Sequence, residues 1–368
     1  MGFFDVYSQY KNFNYEQFYE ELTDSDILQI IHKDRPINKI EFLALLSPKA
    51  ENHLELMAQR AHTLSLQHFG KTVLLYTPMY LSNYCTNKCT YCSFSIDNQI
   101  KRKQLTANEI EKEAKTIASM GFKHLLILTG ESKKDTPLSY LIDAVHILKK
   151  YFDSIGIEIF PLTIEEYQQL IEVGVDSLTV YQEVYNEEIY RKVHLAGRKR
   201  NYHFRLDAPE RGCIAKMRNV NIGALLGLGE WRSEAFVTGL HANYLQNNYP
   251  DVELSVSFPR IRPHVGVFED IYEVTDQNLV QFMLALRIFL PRVGMTISTR
   301  ERQGFRENLI PLGVTRMSAA SSTEVGGHSI EDAGDGQFEI DDQRSVEQIR
   351  TAIFKKGYQP IFKDWVRI

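Results

Sequence analysis

Three of the four cysteines in this 368-residue chain fall within eight residues of one another. Cys85, Cys89 and Cys92 have the spacing Cys-x3-Cys-x2-Cys in the stretch YCTNKCTYCSF, and Cys213 lies far from them. A structural zinc site needs four protein ligands, whereas iron–sulfur clusters are bound by cysteine thiolates, usually four. Three closely spaced thiolates therefore predict a [4Fe–4S] cluster with one iron open to a small molecule. The alternative is three buried or incidental cysteines, which is unexpected in a chain so poor in thiols.

This spacing, with the aromatic Tyr91 before the last cysteine, resembles the cluster loop of the radical S-adenosylmethionine (SAM) superfamily. The resemblance implies that Cys85, Cys89 and Cys92 bind the cluster and that Tyr91 belongs to the cofactor site. It also implies that the open iron chelates the amino and carboxylate groups of SAM. An electron from the cluster would then break a C–S bond to give a 5′-deoxyadenosyl radical.

The elements around this loop alternate between short apolar strands and amphipathic helices, which predicts βαβ units and a parallel sheet. Eight strands favour an α/β fold, a closed (β/α)8 TIM-type barrel, whose chemistry lies at the carboxyl ends of the strands. We expect an N-terminal helical extension over 1–70, with Asp24 or Ser25 as a helix N-cap, a barrel over 71–325 and a short tail over 326–368 packed on the barrel. The predicted strands are Thr72–Met79, His124–Thr129, Gly156–Phe160, Asp176–Tyr181, Ile222–Gly227, Glu253–Phe258, Met295–Thr299 and Val314–Ala319. The predicted helices are Ala107–Met120, Pro137–Tyr151, Ile164–Glu172, Phe204–Met217, Ser233–Gln246 and Asp276–Leu290.

Polar residues after two of the strands fit the cofactor site of the same superfamily. Gly130-Glu131 resembles its "GGE" motif, with Thr129 where many relatives have the first Gly, and the resemblance implies a contact to the amino group of SAM. Glu183, after the fourth strand, is the residue that we expect at the ribose hydroxyls. Each segment also has a simpler interpretation, a strand-to-loop turn for Gly130 and a solvated carboxylate for Glu183.

Two further positions complete the predicted cofactor site. Arg205 lies where relatives resembling biotin synthase keep an arginine for the SAM carboxylate, and an arginine fork binds a carboxylate bidentately. Its alternative is a surface arginine paired with Asp207 or Glu210. The fifth strand ends in a segment similar to the superfamily's "GxIxGxxE" pattern, which implies that Gly227 lies beside the adenine. Glycine there lets backbone approach a ligand closely.

The last two strands are followed by hydroxyl groups and an arginine. The segment STRE contains Arg300, and the eighth strand continues through Ser318 to Ser321. This pairing resembles the aromatic amino acid lyases of the superfamily, in which the arginine binds the substrate carboxylate and a serine of the last strand assists. An arginine amid hydroxyls can also anchor an α-amino acid on physical grounds. The alternative for Arg300 is a structural salt bridge with Glu301 or Glu307.

Taken together, the segment 77–322 resembles the tyrosine lyases of this superfamily. The resemblance implies cleavage of the Cα–Cβ bond of L-tyrosine to 2-iminoacetate and p-cresol, with methionine and 5′-deoxyadenosine as co-products, for the thiazole of thiamine. Arg260, Arg262 and His264 are nearby candidates for handling the phenol proton. The implied partners are an electron donor such as a flavodoxin or ferredoxin, and a thiazole synthase that accepts the product.

Three other functions stay open on the sequence. A radical SAM enzyme acting on tryptophan or another amino acid would share the arginine after the seventh strand. An iron–sulfur protein that only transfers electrons would need a fourth ligand, and a zinc-binding structural module would be colourless.

A maturase of the [FeFe]-hydrogenase resembles the same segment but carries a second cysteine motif near its C-terminus, whereas no cysteine follows Cys213 here.

The composition is that of an ordinary globular protein, with 43% hydrophobic and 24% charged residues. The net charge of -5 gives no reason to expect nucleic acid as a partner. No apolar run approaches the length needed to cross a bilayer, and the first residues lack the pattern of a signal peptide. Few cysteines, most of them assigned to metal, fit a reducing compartment, so we expect a cytoplasmic protein.

Overall fold

The structure is a computed structural model that describes residues 2–266, 268–363 and 365. Its centre is a closed barrel of eight parallel strands, each paired with the strands before and after it in the chain. The barrel closes between its first and last strands, where Leu75 lies opposite Met317. This architecture confirms the predicted (β/α)8 fold. The strands are Thr72–Ser82, His124–Thr129, Ser154–Glu158, Ser177–Glu183, Asn219–Ala224, Glu253–Ser257, Gly294–Ile297 and Arg316–Ser318.

Helices precede the barrel, surround it and follow it. The helices before the first strand are Phe3–Ser8, Tyr15–Glu21, Asp24–Ile31, Lys39–Leu45 and Leu54–Phe69, with a 3-10 turn at Lys49–His53. Those that follow are Ala107–Ser119, Leu138–Leu148, Ile164–Val173, Glu187–Val193, Tyr202–Leu206, Ala208–Ile214, Trp231–Asn248, Asp276–Phe289, Gln303–Leu309 and Val346–Lys355, with 3-10 turns at Arg198–Arg200 and Ile310–Leu312. Within the described residues, no helix combines the length and apolarity that a bilayer crossing requires.

The predicted N-cap at Asp24 or Ser25 is wrong, because the cap is Thr23. The Thr23 hydroxyl accepts a hydrogen bond from the Asp26 backbone N–H, and the Asp26 carboxylate accepts one from the Thr23 N–H at 2.9 Å. This reciprocal pair is a capping box. With Thr23 as the cap, the helix begins at Asp24, one residue earlier than a cap at Asp24 would give and two residues earlier than a cap at Ser25 would give.

The strand boundaries differ from prediction where buried strand residues are polar. The fifth strand begins at Asn219 and ends at Ala224, so Gly227 lies in the following loop. Asn219 and Asn221 are buried because their amides donate to the Glu253 carbonyl at 3.1 Å and to the Ser257 hydroxyl at 2.8 Å. Apolar patterning does not detect a strand whose buried residues include asparagines that donate such hydrogen bonds.

The predicted helix Phe204–Met217 is two short helices, Tyr202–Leu206 and Ala208–Ile214. Asp207 separates them with φ −85° and ψ 0°, and Pro209 follows at the start of the second helix. Because proline has no N–H and its ring excludes the preceding turn, it is tolerated there but would break a continuous helix.

The N-terminal helices pack on the barrel helices through aromatic rings. Phe42 is fully buried and stacks on Phe289, with ring centroids 4.6 Å apart and planes 8° apart. On another side it meets Phe236 at 6.0 Å. Phe42 thus joins helix Lys39–Leu45 to helices Trp231–Asn248 and Asp276–Phe289 in one apolar core.

The segment after the eighth strand returns to the first strand. Val325 forms a parallel bridge with Tyr80 and an antiparallel bridge with Gly334, so this part of the tail lies at the carboxyl end of the barrel. Helix Val346–Lys355 leads to the short strand Gln359–Ile361, which pairs in parallel with Thr72–Leu74 at the opposite end. The tail therefore contacts both ends of the first strand.

Candidate active site

The loop that follows the first strand carries the three clustered cysteines, and Arg102 fixes its shape. The Arg102 guanidinium donates to the carbonyls of Asn83, Phe94 and Ser95 at 2.6 to 2.9 Å. The buried Asn83 side chain donates to the Lys101 carbonyl at 2.9 Å and accepts from the Lys103 N–H at 2.7 Å. These contacts hold the backbone of the loop independently of any metal.

The thiols of Cys85, Cys89 and Cys92 are close enough to act on one another. Burial raises the pKa of Cys89 and Cys92 above the usual thiol range, and the neighbouring thiols raise them further, against the effect of Lys199. Cys213 is buried in a different environment, among Glu210, Asp251 and Lys216. The structure thus brings together the three cysteines that the spacing singled out and separates the fourth.

The donor set fits an iron–sulfur cluster, because three thiols of one loop lie near one another and such clusters are held by cysteine thiolates. Among the described residues, no three His, Cys, Asp or Glu side chains converge as the ligands of one metal ion would. Cluster thiolates bind different iron atoms and therefore stand further apart. Iron coordination would also lower the raised thiol pKa values, because a coordinating thiol is deprotonated.

Gly130 and Glu131 lie directly against this loop. The Gly130 N–H donates to the Ser82 carbonyl at 2.8 Å. A Cβ on Gly130 would lie 2.3 Å from the Tyr84 carbonyl oxygen, so only glycine fits. The Glu131 carbonyl accepts from the N–H and hydroxyl of Thr86, each at 3.0 Å, and its carboxylate accepts from the Asn87 amide at 2.6 Å. The predicted turn is therefore joined to the cysteine loop.

Gly130→Ala is expected to displace the cysteine loop, since its new methyl group meets backbone rather than a flexible side chain. Overpacking of this kind costs about 1–3 kcal/mol. We therefore expect SAM to bind the cluster-loaded protein about tenfold more weakly, as measured by equilibrium dialysis.

Gly304→Ala is the matched control for this substitution, because nothing lies within 4 Å of a Cβ built at Gly304. It should leave SAM binding unchanged. Equal SAM affinity in the two variants would mean that the Gly130 turn does not shape the site.

Glu183, Lys199 and Arg205 form a buried charge cluster beyond the fourth strand. The Lys199 ammonium lies 2.7 Å and the Arg205 guanidinium 3.2 Å from the same Glu183 oxygen. Burial alone would raise the pKa of Glu183, but the two cations hold it below its usual range. The Glu183 backbone has φ +72°, an uncommon conformation for a non-glycine residue that turns the chain at the strand end.

Arg205 is not a surface residue paired with Asp207 or Glu210, and that interpretation is wrong. It is 8% exposed and also donates to the Tyr181 carbonyl at 2.7 Å. Glu210 instead accepts hydrogen bonds from the hydroxyls of Tyr244 and Tyr249. Arg205, Lys199 and Glu131 line one cavity beside the cysteine loop, which is partly open to solvent. Two of the predicted cofactor residues, Glu131 and Arg205, therefore share one cavity.

Tyr91 and Gly227 do not line the cavity of Glu131 and Arg205. The Tyr91 hydroxyl is 2.7 Å from His194 Nε2, and His194 Nδ1 is 2.9 Å from the Tyr190 carbonyl. Burial lowers the pKa of His194 well below its usual value, so the neutral ring accepts from Tyr91 and donates to the carbonyl. Gly227 has φ +111° and lines a groove with Arg260 and Arg262, not the cavity of Glu131.

A second cavity lies in the carboxyl half of the barrel and measures about 590 Å³, including space that is open to solvent. All three predicted substrate residues, Arg300, Ser318 and Ser321, line it. Its apolar wall includes Leu126, Leu128, Phe258, Pro259, Phe338 and Ile340. The structure thus places one cation and two hydroxyls against a surface suited to an aromatic ring.

Arg300 makes no ion pair with either glutamate that the alternative interpretation named. Glu301 pairs with Arg260, and Glu307 pairs with Arg344 at 2.6 Å. The Arg300 guanidinium carbon lies 3.4 Å from the centroid of the Phe338 ring, and its Nη1 donates to the Arg260 carbonyl at 3.3 Å. Within the described residues, no carboxylate lies at ion-pair distance from Arg300. Its charge therefore remains available to a ligand.

The hydroxyls of Ser318 and Ser321 differ in whether they already have a hydrogen-bond partner. The Ser318 hydroxyl accepts from the Thr299 N–H at 3.0 Å, which ties the ends of the seventh and eighth strands together. The Ser321 hydroxyl is buried and has no hydrogen-bond partner among the described residues. A buried hydroxyl without a partner is costly, so Ser321 is the serine poised for a ligand.

The candidates for the phenol proton lie outside the 590 Å³ cavity. Arg260 binds Glu301 and Asp276, Arg262 binds Asp341 at 3.2 Å, and His264 contacts the Thr90 carbonyl at 3.1 Å. None of the three lines the cavity.

Several residues of the site escaped sequence reasoning. Glu158 lines the cavity at the end of the third strand, but the predicted strand Gly156–Phe160 ran through it. Lys199 lies in the basic run GRKRN, which has the composition of a solvated surface loop. Gln337 donates from its amide to Cys92 Sγ at 3.7 Å and accepts from the Tyr80 hydroxyl at 2.8 Å, although a polar tail carries no signal for this.

Comparison with known proteins gives consistent matches. The model of the Radical SAM superfamily matches residues 79–235, and that of the Biotin and Thiamin Synthesis associated domain matches residues 257–359. The chain is 39% identical to 2-iminoacetate synthase of Escherichia coli (strain K12) over 344 residues, which cover 93% of this chain and 91% of that protein. It is 28% identical to 3-methylornithine synthase of Methanosarcina acetivorans over 259 residues, 68% and 69% of the two chains. The crystal structure of HydG, a maturase of the [FeFe]-hydrogenase, superposes with a TM-score of 0.90 at 30% identity and covers 96% of this chain and 80% of that one.

Proposed function

We infer that this chain, which belongs to the radical SAM superfamily and to its 2-iminoacetate synthase family, is a lyase that cleaves the Cα–Cβ bond of L-tyrosine. The products are 2-iminoacetate, which supplies the thiazole of thiamine, and p-cresol, with methionine and 5′-deoxyadenosine as co-products. The observation that carries this inference is Arg300, a cation without a carboxylate partner among the described residues, in a cavity at the carboxyl end of the barrel.

The cofactors are a [4Fe–4S] cluster and SAM, as in the family. Cys85, Cys89 and Cys92 would hold the cluster. When bound, these two groups supply a carbon-centred radical that removes a hydrogen atom from the amino group of the substrate. Lys199 and Arg205 offset the negative charge that thiolates and Glu183 bring into a buried region.

We assign the SAM contacts to residues on both sides of the cysteine loop. Gly130 and Glu131 would bind its amino group and Arg205 its carboxylate, because an acid and a cation face one cavity there. Glu183 would bind the ribose, exchanging part of its contact with Lys199 for the hydroxyls. Tyr91 and Gly227 would flank the remainder of the cofactor.

Arg300 would bind the substrate carboxylate, and Ser321 would donate to it or to the neighbouring amino group. Guanidinium and carboxylate match in a two-point contact, which fixes the orientation of the amino acid as well as its position. The stack on Phe338 already holds the guanidinium in place, so little side-chain freedom is lost on binding. The apolar walls then hold the aromatic ring and exclude water from the reacting carbon.

The protein partners follow from the chemistry of the reaction. Reduction of the cluster needs an electron donor such as a flavodoxin or ferredoxin. The imine product hydrolyses readily in water, so we propose direct transfer to a thiazole synthase. We also propose a division into an N-terminal extension over 1–70, a barrel over 71–325 and a tail over 326–368 that supplies Gln337 and Phe338 to the site.

The direct test is anaerobic incubation of reconstituted protein with SAM, dithionite and L-tyrosine. We expect p-cresol and 5′-deoxyadenosine to form together, and L-tryptophan in place of tyrosine to give no corresponding aromatic product. Formation of 5′-deoxyadenosine without p-cresol would contradict the tyrosine assignment. A tryptophan-derived product would show that the substrate is an amino acid other than tyrosine. The assignment to the radical SAM superfamily would not change.

A further inference from the structure

Glu158 is a charged residue of the substrate cavity to which the function above gives no role. It ends the third strand and pairs through its backbone with Leu128, while its side chain lines the 590 Å³ cavity. Its carboxylate takes part in no side-chain hydrogen bond or ion pair among the residues that the structure describes. Glu158 is half-buried, and its unpaired carboxylate faces the cavity, so a cationic group of a ligand bound there would be its first charge partner.

The position of Glu158 relative to Arg300 indicates what that ligand group is. In a ring of eight strands, the third and the seventh stand opposite each other, so the cavity has a carboxylate on one side and a free guanidinium on the other. The charge of Arg300 is the strongest that acts on Glu158. A zwitterionic α-amino acid presents the complementary pair, a carboxylate for Arg300 and an ammonium for Glu158.

The other groups near Glu158 do not compete for that role. The charged residues that act on it besides Arg300 are Glu183, Arg205 and Lys199, which satisfy one another. Three tyrosines of the first and fourth strands also lie near enough for the charge of Glu158 to shift their pKa: Tyr76, Tyr80 and Tyr181. Burial raises the pKa of each hydroxyl further above neutrality. These tyrosines therefore stay protonated near neutral pH and cannot take up a proton. Among the groups just named, Glu158 is the one that can accept a proton from a ligand.

We propose that Glu158 binds the α-ammonium group of the substrate and accepts one proton from it before a hydrogen atom is removed from that nitrogen. The proposal rests on the function inferred above. In this step a substrate N–H bond breaks, its electron pair stays on nitrogen, and the proton forms an O–H bond on the carboxylate. The products are a neutral amine and a neutral carboxylic acid. The lone pair of the neutral amine stabilises the nitrogen radical, which an ammonium group cannot do.

The electrostatics of the cavity suit Glu158 to this task. Burial raises the pKa of Glu158 to about 7, although Arg300 opposes the shift. An acceptor works best when its pKa lies near the working pH, because it is then both ionised and sufficiently basic. Below that pKa Glu158 is protonated and cannot take the proton, so the rate should fall as the pH is lowered through it.

Glu158→Gln separates recognition of the amino group from general damage to the cavity. We compare binding of L-tyrosine with binding of 3-(4-hydroxyphenyl)propionate, which keeps the carboxylate and the phenol but lacks the amino group. With cluster-loaded protein and SAM, the variant should bind tyrosine at least about tenfold more weakly, because the amide lacks the negative charge that pairs with the ammonium group. Binding of the desamino compound should change by less than about twofold, since Gln has nearly the same size as Glu. Glu165→Gln, at an exposed helix start, should change neither.

The pH profile provides the second measurement. In the wild-type protein, p-cresol formation per cluster-loaded molecule should rise through about pH 7 as Glu158 ionises. Glu158→Gln should lose this rise, and Glu158→Asp should restore part of it. Equal losses for tyrosine and the desamino compound, or an unchanged pH profile in Glu158→Gln, would overturn the proposal. If the wild-type protein binds tyrosine but makes no p-cresol, the lyase function fails, while the two-ligand comparison still decides the role of Glu158.

Discussion

Replacing any one of Cys85, Cys89 and Cys92 with Ala is expected to abolish both the iron–sulfur cluster and SAM cleavage. Clusters are held by cysteine thiolates, and two remaining ligands hold one poorly. The structure offers no substitute, because the buried Cys213 lies in a separate environment. Iron and sulfide content, the visible absorbance and 5′-deoxyadenosine formation should all fall to background in each variant.

Cys213→Ala is the control, and it should retain the cluster and its activity. The backbone of the cysteine loop is fixed by Arg102 and Asn83, so the cysteine variants should still fold. Circular dichroism can verify this directly. Retention of iron in Cys89→Ala together with its loss in Cys213→Ala would show that the ligand assignment is wrong.

Arg300→Ala is expected to lower p-cresol formation by at least about a hundredfold while leaving the cluster spectrum and SAM binding intact. Loss of one buried arginine–carboxylate contact typically costs about 2–5 kcal/mol. A reacting group misplaced by an ångström loses roughly a hundredfold in rate. Slow cleavage of SAM without p-cresol should continue, because the residues assigned to the cofactor are unchanged. The measurement is p-cresol per cluster-loaded protein at saturating SAM over a range of tyrosine concentrations.

Arg302→Ala is the matched control, since Arg302 is 62% exposed and pairs with Asp276 at the surface. It should turn over tyrosine normally. Arg300→Lys should recover only part of the lost rate, because an ammonium keeps the charge but not the two-point contact. Near-normal turnover in Arg300→Ala would remove this residue from the substrate site.

The order of strands and the cysteine loop were predictable because each depends on local sequence. Apolar runs alternate with amphipathic helices, and the three thiols lie within one loop, so no long-range information was needed. The carboxyl-end rule then placed Arg300 and Ser321 at one mouth of the barrel. The position of these residues at one end of the barrel therefore followed from topology, whereas their predicted roles came from the family resemblance.

The rest of the site depends on contacts between distant segments. Glu183 is neutralised by Lys199 and Arg205, which come from a turn and a short helix after the strand, and a basic run does not reveal that it is buried. Glu158 could be recognised only when its strand was seen to end there. Gln337 reaches Cys92 across 245 residues of sequence. Local patterns carry no information about such pairings.

The enclosure of the cysteine loop has a consequence for the making of this protein. Lys88–Cys89 pairs with His194–Ala196, and Gln337 covers Cys92, so the walls around the thiols are contributed by segments that the ribosome adds much later. Chains emerge from their N-terminus at roughly 5–20 residues per second. For many seconds of synthesis, the nascent chain therefore presents three neighbouring thiols without their cover, and exposure favours oxidation. The contact of Gln337 with Cys92 can form only after residue 337 has been added, so the final surroundings of the thiols are completed near the end of synthesis.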